Sequence, residues 1–338
     1  MTRTTRMLAL VVCAALLAAV ALTGCSSGST ASQQGGSGSS ASAAKPIAIR
    51  IGTLPTEDSL PLWVAQDRGY FATEGIPKVE IVEFQSAQER DAAFASGAID
   101  AFMGDIIAAA DLTAAGKPNT IETVMLGADQ SQGRFGIAVA PKSDITTLSA
   151  LANVPVGTSS ATIQEYVLDA LMGDAGVATS AVKVEEVKKV PARFQLLMGG
   201  QLKAAALPEP FLSLAEQGGA RIVASDTSAT ANLSQTVLVF SDSFLGKPAG
   251  AAAENAVLSA WDKAVADINA DPTAYRTLLV QKAKLPPPLA NTYKVNTYPT
   301  HQLPTAEEVN AVLQWMRDKG YLKADVTYDQ LTKSQSGS

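Results

Sequence analysis

Apolar and polar positions alternate from Ile47 to Ile51 and then meet Gly52, which predicts a half-buried strand running into a turn. Ser59-Leu60-Pro61 opens a helix and Gly69 closes it, because proline suits a helix's first turn and glycine its exit. Val79 to Phe84 alternate again, Ala87 to Ala95 predict a second helix, and the stretch Gly97 to Asp105 carries a third strand. Strand, helix, strand, helix, strand in that order predicts a parallel sheet covered by helices.

The middle of the chain replays this order. Gly52 and Gly97 are 45 residues apart, and Gly157 and Gly200 are 43 apart. The second copy runs through a strand at Val154 to Gly157, a loop at Thr158 to Ala161 and a helix at Ile163 to Met172. A strand at Val182 to Val187 and a helix at Arg193 to Met198 follow, then Gly200 to Leu207. The turns Glu74-Gly75-Ile76 and Ala175-Gly176-Val177 correspond as well. A single continuous sheet of repeated units is the competing reading. Against it stand two lone apolar strands, Gly136 to Ala140 and Thr236 to Phe240, followed by a stretch that is mostly helical. Its helices are expected at Ala251 to Asn269, Pro272 to Ala283 and Thr305 to Lys319. The pattern predicts an α/β chain of two lobes, each a mostly parallel sheet flanked by helices. Lobe 1 is expected at 47–136 plus 241–330, and lobe 2 at 137–240 with two strands crossing between them. Residues 331–338 are expected to form a disordered tail.

The N-terminus changes the picture of where this body works. Arg3 and Arg6 precede an apolar run from Met7 to Leu22 that ends at Leu22-Thr23-Gly24-Cys25. The run is shorter than the roughly 20 residues a membrane span needs, and small residues follow it, so residues 1–24 read as a secretory signal. The pattern resembles that of bacterial lipoproteins. By that resemblance Cys25 becomes the first mature residue and carries the lipid that holds the protein at the outer face of the cell membrane. Residues 25–46, nearly all Ser, Gly, Ala, Thr and Gln after the cysteine, cannot bury enough apolar surface to fold and read as a flexible tether. About 20 such residues span roughly 25 Å.

Cys13 and Cys25 are the chain's two cysteines, so after cleavage no disulfide is expected and the fold stands on its core. Taking the leader's two arginines from a net charge of −6 leaves −8, which argues against nucleic acid as a partner. The one histidine, His301, lies in the proline-flanked segment Tyr298 to Pro304. With no free thiol, no zinc-ligand spacing and no phosphate-cradling or dinucleotide motif, neither catalysis, a metal nor a cofactor is expected.

Two α/β lobes place the loops at the carboxyl ends of their strands face to face across a cleft. In lobe 1 these are Thr53 to Ser59 and Gly104-Asp105; in lobe 2, Thr158 to Thr162 and Pro208 to Phe211. The hydroxyls of Thr158, Ser159, Ser160 and Thr162, just before a helix, suit an anion or polar acceptor together with the helix's free N–H groups. The bland reading is an ordinary N-cap, for which one hydroxyl suffices. Glu209, held between two prolines, and Asp105 and Asp58 suit a nitrogenous donor. Trp63 completes the first-lobe group, against the alternative of a core tryptophan, and capping is the alternative for Asp105 and Asp58. Asp129, Gln132 and Arg134 are weaker candidates.

The ordered series IGTLPTEDSLPLWVAQDRGYF (51–71), EGI (74–76), FASGAIDAFMGD (94–105), SALANVPVGTSSATIQEYVLDALMGDAGV (149–177) and ALPEPF (206–211) resembles the nitrate/sulfonate/taurine and thiamine-pyrimidine substrate-binding proteins. The likeness covers roughly 47–240. It implies the periplasmic-binding-protein type II fold, a permease with a cytoplasmic ATPase as partner, and a ligand held between lobes. It places the ligand loops at Pro55-Thr56, Gly104-Asp105, Thr158 to Thr162 and Glu209-Pro210-Phe211. The chain departs from the family pattern at Lys203, where an acid is usual, and at Phe211, where tryptophan is common.

The function expected is that of a monomeric, lipid-anchored solute-binding protein of an ABC importer. Its ligand is a small polar or zwitterionic molecule: a sulfonate, nitrate or an aminopyrimidine. The alternatives are a lipoprotein sensor without a transport role and an enzyme like those of pyrimidine synthesis, whose histidines and cysteines this chain lacks. Glu209→Gln and Ser160→Ala are each expected to weaken binding by roughly 1–3 kcal/mol if their hydrogen bonds are buried.

Overall fold

The computed structural model describes residues 45–333, so the leader, Cys25 and most of the tether lie outside the described residues. From Ile49 the chain lays down β1 (Ile49–Thr53), α1 (Leu60–Asp67), α2 (Tyr70–Thr73), β2 (Val79–Glu83), α3 (Ala87–Ala95), β3 (Ala101–Asp105), α4 (Ile106–Ala114) and β4 (Asn119–Leu126). It continues through β5 (Phe135–Val139), β6 (Pro155–Thr158), α5 (Ile163–Asp174), β7 (Lys183–Glu186), α6 (Val190–Met198), β8 (Ala204–Pro208), α7 (Phe211–Gln217), β9 (Arg221–Ser225) and β10 (Thr236–Ser241). Helices finish it: α8 (Asp242–Leu245), α9 (Gly250–Ala270), α10 (Arg276–Lys282), α11 (Ala306–Asp318) and α12 (Tyr328–Thr332).

The strands form two five-stranded sheets, ordered β2-β1-β3-β10-β4 and β7-β6-β8-β5-β9. In each, four strands share one direction and the remaining one lies antiparallel between two neighbours: β10 between β3 and β4, β5 between β8 and β9. This corrects the expected lobe boundaries. The stretches 136–140 and 236–240 do not bridge the lobes; β5 is paired wholly in the second sheet and β10 in the first, with Val237 opposite Gly104 and Phe240 opposite Ala101. The chain changes sheets in the segments 127–134 and 226–235. Residues 135–136 belong with lobe 2, and 236–240 with lobe 1.

The central strands of each sheet are buried on both faces, as strands with crossover helices require. One apolar cluster joins α1, α9 and α10 to the first sheet and continues into lobe 2 through Phe194 on α6, Leu207 on β8 and Phe211 on α7. A second packs α4 and α11 on the other face of lobe 1, and a third packs α5 on lobe 2. The expected disordered tail needs a further correction at its start. Leu331 is fully buried against α4 and α11, and a capping box between Thr327 and Gln330 closes the first turn of α12.

The sequence repeat has a physical core at matching positions. Gly52 and Gly157 lie where an added Cβ would come within 2.5 Å of Ile99 Cδ1 and of Leu202 Cδ1, so a buried side chain just before the next strand fills the space a Cβ would need. Beside them sit two buried arginines, Arg90 on α3 and Arg193 on α6. Arg90 Nη1 donates to the Met103 carbonyl at 2.8 Å, and Arg193 Nη1 to the Ala206 carbonyl at 2.8 Å, in each case thirteen residues on. Each guanidinium ties a helix to the centre of the strand that ends at the cleft.

Candidate functional site

Where β1 and β3 of lobe 1 and β6 and β8 of lobe 2 end, their following loops enclose a cavity of about 30 Å³. That exceeds the roughly 10–15 Å³ one water needs. Thr56, Asp58, Arg90, Met103, Gly104 and Asp105 line it from lobe 1, and Ser159, Thr162, Ile163, Gln164, Lys188 and Pro208 from lobe 2.

Asp58 is 5% exposed and accepts the Thr56 hydroxyl at 2.6 Å. Burial pushes its carboxyl above the usual range, and the hydrogen bond from Thr56 works against that shift. Asp105 is also buried. One oxygen caps α4 by accepting the Ala108 N–H at 2.8 Å, and the other accepts the Ile163 N–H at 3.3 Å from the first turn of α5 in the opposite lobe. The free helix start expected to receive an anion is therefore met by a carboxylate of the protein itself. The rest of that loop is turned inward: Thr162 donates its hydroxyl to the Ser159 carbonyl at 2.7 Å, and Glu165 accepts the Ala161 N–H at 2.8 Å.

Besides Lys188 and the loop hydroxyls, two buried cavity residues carry donors, Arg90 and Gln164, and the sequence reading named none of these three long side chains for the site. Arg90, 1% exposed, uses Nε and Nη2 on Asp91 Oδ1 at 2.9 and 2.7 Å and Nη1 on Met103, three of its five N–H groups. Gln164, 8% exposed, accepts from Arg193 Nη1 through its side-chain oxygen. A guanidinium only donates, so this bond fixes the amide's orientation and leaves its NH2 end as the donor for the cavity. Burial pushes the Arg193 guanidinium down to about 9, which still leaves it cationic at neutral pH. The repeat held the signal for these arginines, since Arg90 and Arg193 occupy the same place in the two copies.

Other expected site residues lie elsewhere. Trp63 is in the apolar core of lobe 1. Thr158 is fully buried with its hydroxyl unpartnered. Ser160 gives both its N–H and its hydroxyl to Glu186, at 3.0 and 2.8 Å, on the lobe surface. Pro55 and Phe211 line a separate cavity of about 220 Å³ with Phe194, Leu214 and Leu285. Glu209, preceding a cis proline, accepts from Ser213 at the start of α7 at 2.8 and 3.1 Å and pairs with Arg134 at 3.3 Å. Burial raises the Glu209 carboxyl, opposed by those donors. Asp129 and Gln132 fold the turn before β5 through bonds with Ser131 and Ala128.

Glu57, next to Asp58, holds the cleft loop to the C-terminal part of the chain. Its carboxyl accepts the Tyr293 hydroxyl at 2.5 Å, the Asn296 N–H at 2.7 Å and the Asn296 amide at 3.0 Å, while its carbonyl accepts the Tyr298 hydroxyl at 2.8 Å. Burial pushes the Glu57 carboxyl up to about 8 despite those donors. Its N–H reaches across to the Glu209 carbonyl at 3.3 Å. His301 sits on the surface, its ring 2.5 Å from Asp262.

Comparison with known proteins bears on this geometry. The NMT1-like family model matches residues 42–281. No curated protein matches the sequence. Among solved structures, the alkanesulfonate-binding protein SsuA from Xanthomonas axonopodis pv. citri bound to MOPS is 20% identical, with a TM-score of 0.70 over 84% of this chain and 97% of that one. The periplasmic nitrate-binding protein NrtA from Synechocystis PCC 6803 is 15% identical, with a TM-score of 0.65 over 84% and 83%. The Candida albicans CA3427 gene product, described as having the generic periplasmic-binding-protein fold, is 12% identical, with a TM-score of 0.62 over 82% and 92%. At these identities the likeness establishes the fold, and it is the two-lobed one expected from the sequence.

Proposed function

The chain belongs to the NMT1-like family, and from that membership and the cavity between its lobes we propose that it is the extracytoplasmic solute-binding component of an ABC importer. The observation that carries the reading is the cavity's double character. Two buried carboxylates, Asp58 and Asp105, face the same small space as a buried guanidinium, Arg90, and the oriented amide of Gln164. A solute with both hydrogen-bond donors and acceptors complements all four; a simple anion gains no hydrogen bond from the carboxylates, which only accept when ionised, and is repelled by their charge. The ligand is accordingly a small zwitterion or an amino-substituted heterocycle, an amino-sulfonate or aminopyrimidine rather than nitrate. The binding of MOPS, itself a zwitterionic sulfonate, by a protein of the same fold is consistent with this choice.

Closure of the lobes over the solute would then be the signal read by the permease. A thermal-shift screen of taurine, amino acids, aminopyrimidines, alkanesulfonates and nitrate tests the ligand class, because a solute that binds only the folded state raises the melting temperature. A rise with a zwitterion or aminopyrimidine and none with nitrate is expected; stabilisation by nitrate alone would replace this ligand class with a plain anion. The reading includes a lipid anchor on Cys25. Full-length protein should fractionate with membranes and Cys25→Ser protein should not, and equal partitioning of the two would remove the anchor.

A further inference from the structure

The second cavity, of about 220 Å³, is also built by both lobes. Pro55, Gln85 and Leu285 wall it from lobe 1, and Phe194, Phe211 and Leu214 from lobe 2. The rings of Phe194 and Phe211 stand 5.9 Å apart, tilted by 52°, and form a corner of apolar faces and edges. Lys284 is the charged residue on this wall, and its ammonium pairs with Glu83 at 2.6 Å on a side chain that is 71% exposed. The space inside suits hydrocarbon more than charge.

Size separates the roles of the two cavities. A cavity of about 150 Å³ lined by Leu, Ile and Phe admits benzene, whereas one water needs roughly 10–15 Å³. The space of about 30 Å³ beside Asp58, Asp105, Arg90 and Gln164 therefore holds a headgroup, and the space of about 220 Å³ holds a ring. Two further cavities share residues with the polar one, Asp105 and Ile163 in one case and Thr56 and Asp58 in the other, but each measures about 10 Å³. Neither has room for the remainder of a solute. The walls of the large cavity continue those of the polar one: Pro55 stands between its Leu54 and Thr56, and Pro191 follows its Val190. Leu54 and Val190 belong to the same apolar cluster as Phe194, Phe211 and Leu285, so an apolar surface joins the headgroup site to the larger space.

We propose that the larger cavity takes an apolar ring or branched alkyl group of the same solute whose headgroup meets Asp58, Asp105, Arg90 and Gln164. This rests on the reading of the cleft given above and narrows it, because the solute becomes a zwitterion with a hydrocarbon end. Phe194, Phe211 and Leu214 then set specificity: the buried hydrocarbon supplies affinity while the few polar groups fix orientation. Each lobe gives one wall, so closing the lobes over the solute also encloses the ring.

Two kinds of probe separate the ends of the solute. Benzene tests the apolar cavity alone: the methyl resonances of Leu214 and Leu285 should shift on titration, and the Leu285 shift should vanish in Leu214→Trp, whose indole fills the space. Taurine and 2-(cyclohexylamino)ethanesulfonate share an amino-sulfonate headgroup and test the join by calorimetry. The cyclohexyl compound should bind roughly tenfold tighter or more. Leu214→Trp should remove that gain and leave taurine's affinity within about twofold of wild type. Phe211→Trp fills the same space from the first turn of α7 and supplies the reading should Leu214→Trp fail to melt cooperatively. Methyl resonances unmoved by benzene, or equal affinity for the two sulfonates, would overturn the proposal. Benzene binding without binding of either sulfonate would keep the apolar site and remove the zwitterionic headgroup, which tells the two failures apart.

Discussion

Arg90 and Arg193 show what single residues contribute and why one sequence conceals it. In Gln88-Glu89-Arg90-Asp91 an arginine reads as part of a solvated helix face, yet it is 1% exposed and bonded to the carbonyl at the centre of β3. Removing it leaves the Met103 carbonyl unpaired and Asp91 without its counter-charge, so Arg90→Met should lower stability by about 3 kcal/mol, measured by urea unfolding. Lysine should not rescue it, because one ammonium cannot reproduce the guanidinium's fork. That Asp58, Asp105, Ser159 and Thr162 line the cavity was legible because they sit at strand ends in loops the topology aims at the cleft. Ser160 and Glu209 share those loops but are turned to Glu186 and to Ser213 with Arg134, a choice made by partners distant in sequence. Loop position is written in the pattern; side-chain direction is not.

Elements were read best where the pattern is longest. The helix expected at Thr305 to Lys319 is α11, whose N-cap Thr305 and Glu308 bond reciprocally as a capping box. Thr305→Ala removes the side-chain half of that box and should cost about 1 kcal/mol. Thermal melting would detect it, and a melt unchanged from wild type would show that the fixing comes from Val309 and Leu313 in the core instead. β4 and β9 were not anticipated. Asn119-Thr120-Ile121-Glu122-Thr123 mixes polar residues into an apolar strand because those side chains find partners, among them Asp242 for Thr120 and the Ala109 carbonyl for Asn119. The antiparallel strands were seen as strands but assigned to the wrong place. An isolated apolar run carries no information about which sheet will accept it.

The whole molecule stores acid-dependent stability in its buried carboxyls. Burial raises Glu57 from 4.5 to about 8 and Asp226 from 3.8 to about 6; burial and the neighbouring Glu254 push Glu122 up as well. The folded state thus keeps protons that the unfolded chain has released, so stability falls as pH rises from about 5 to 8. The urea midpoint should be lower at pH 8.5 than at pH 5.5, and Glu57→Gln should flatten that slope. A midpoint that rises with pH would reverse the assignment. At this scale the duplicated lobes and their C-terminal helical cover were legible because repetition survives even where single residues mislead.

The exchange of antiparallel strands also fixes a timetable. All five ribbons of the second sheet come from one unbroken stretch, 135–225, whereas the first has a gap beside β3 until β10 has been made. The half of the molecule that begins later is the one able to finish earlier. Its older sibling must wait, incomplete, for more than a hundred residues, which suits the export proposed above, since a body that stays unfinished is easier to thread outward.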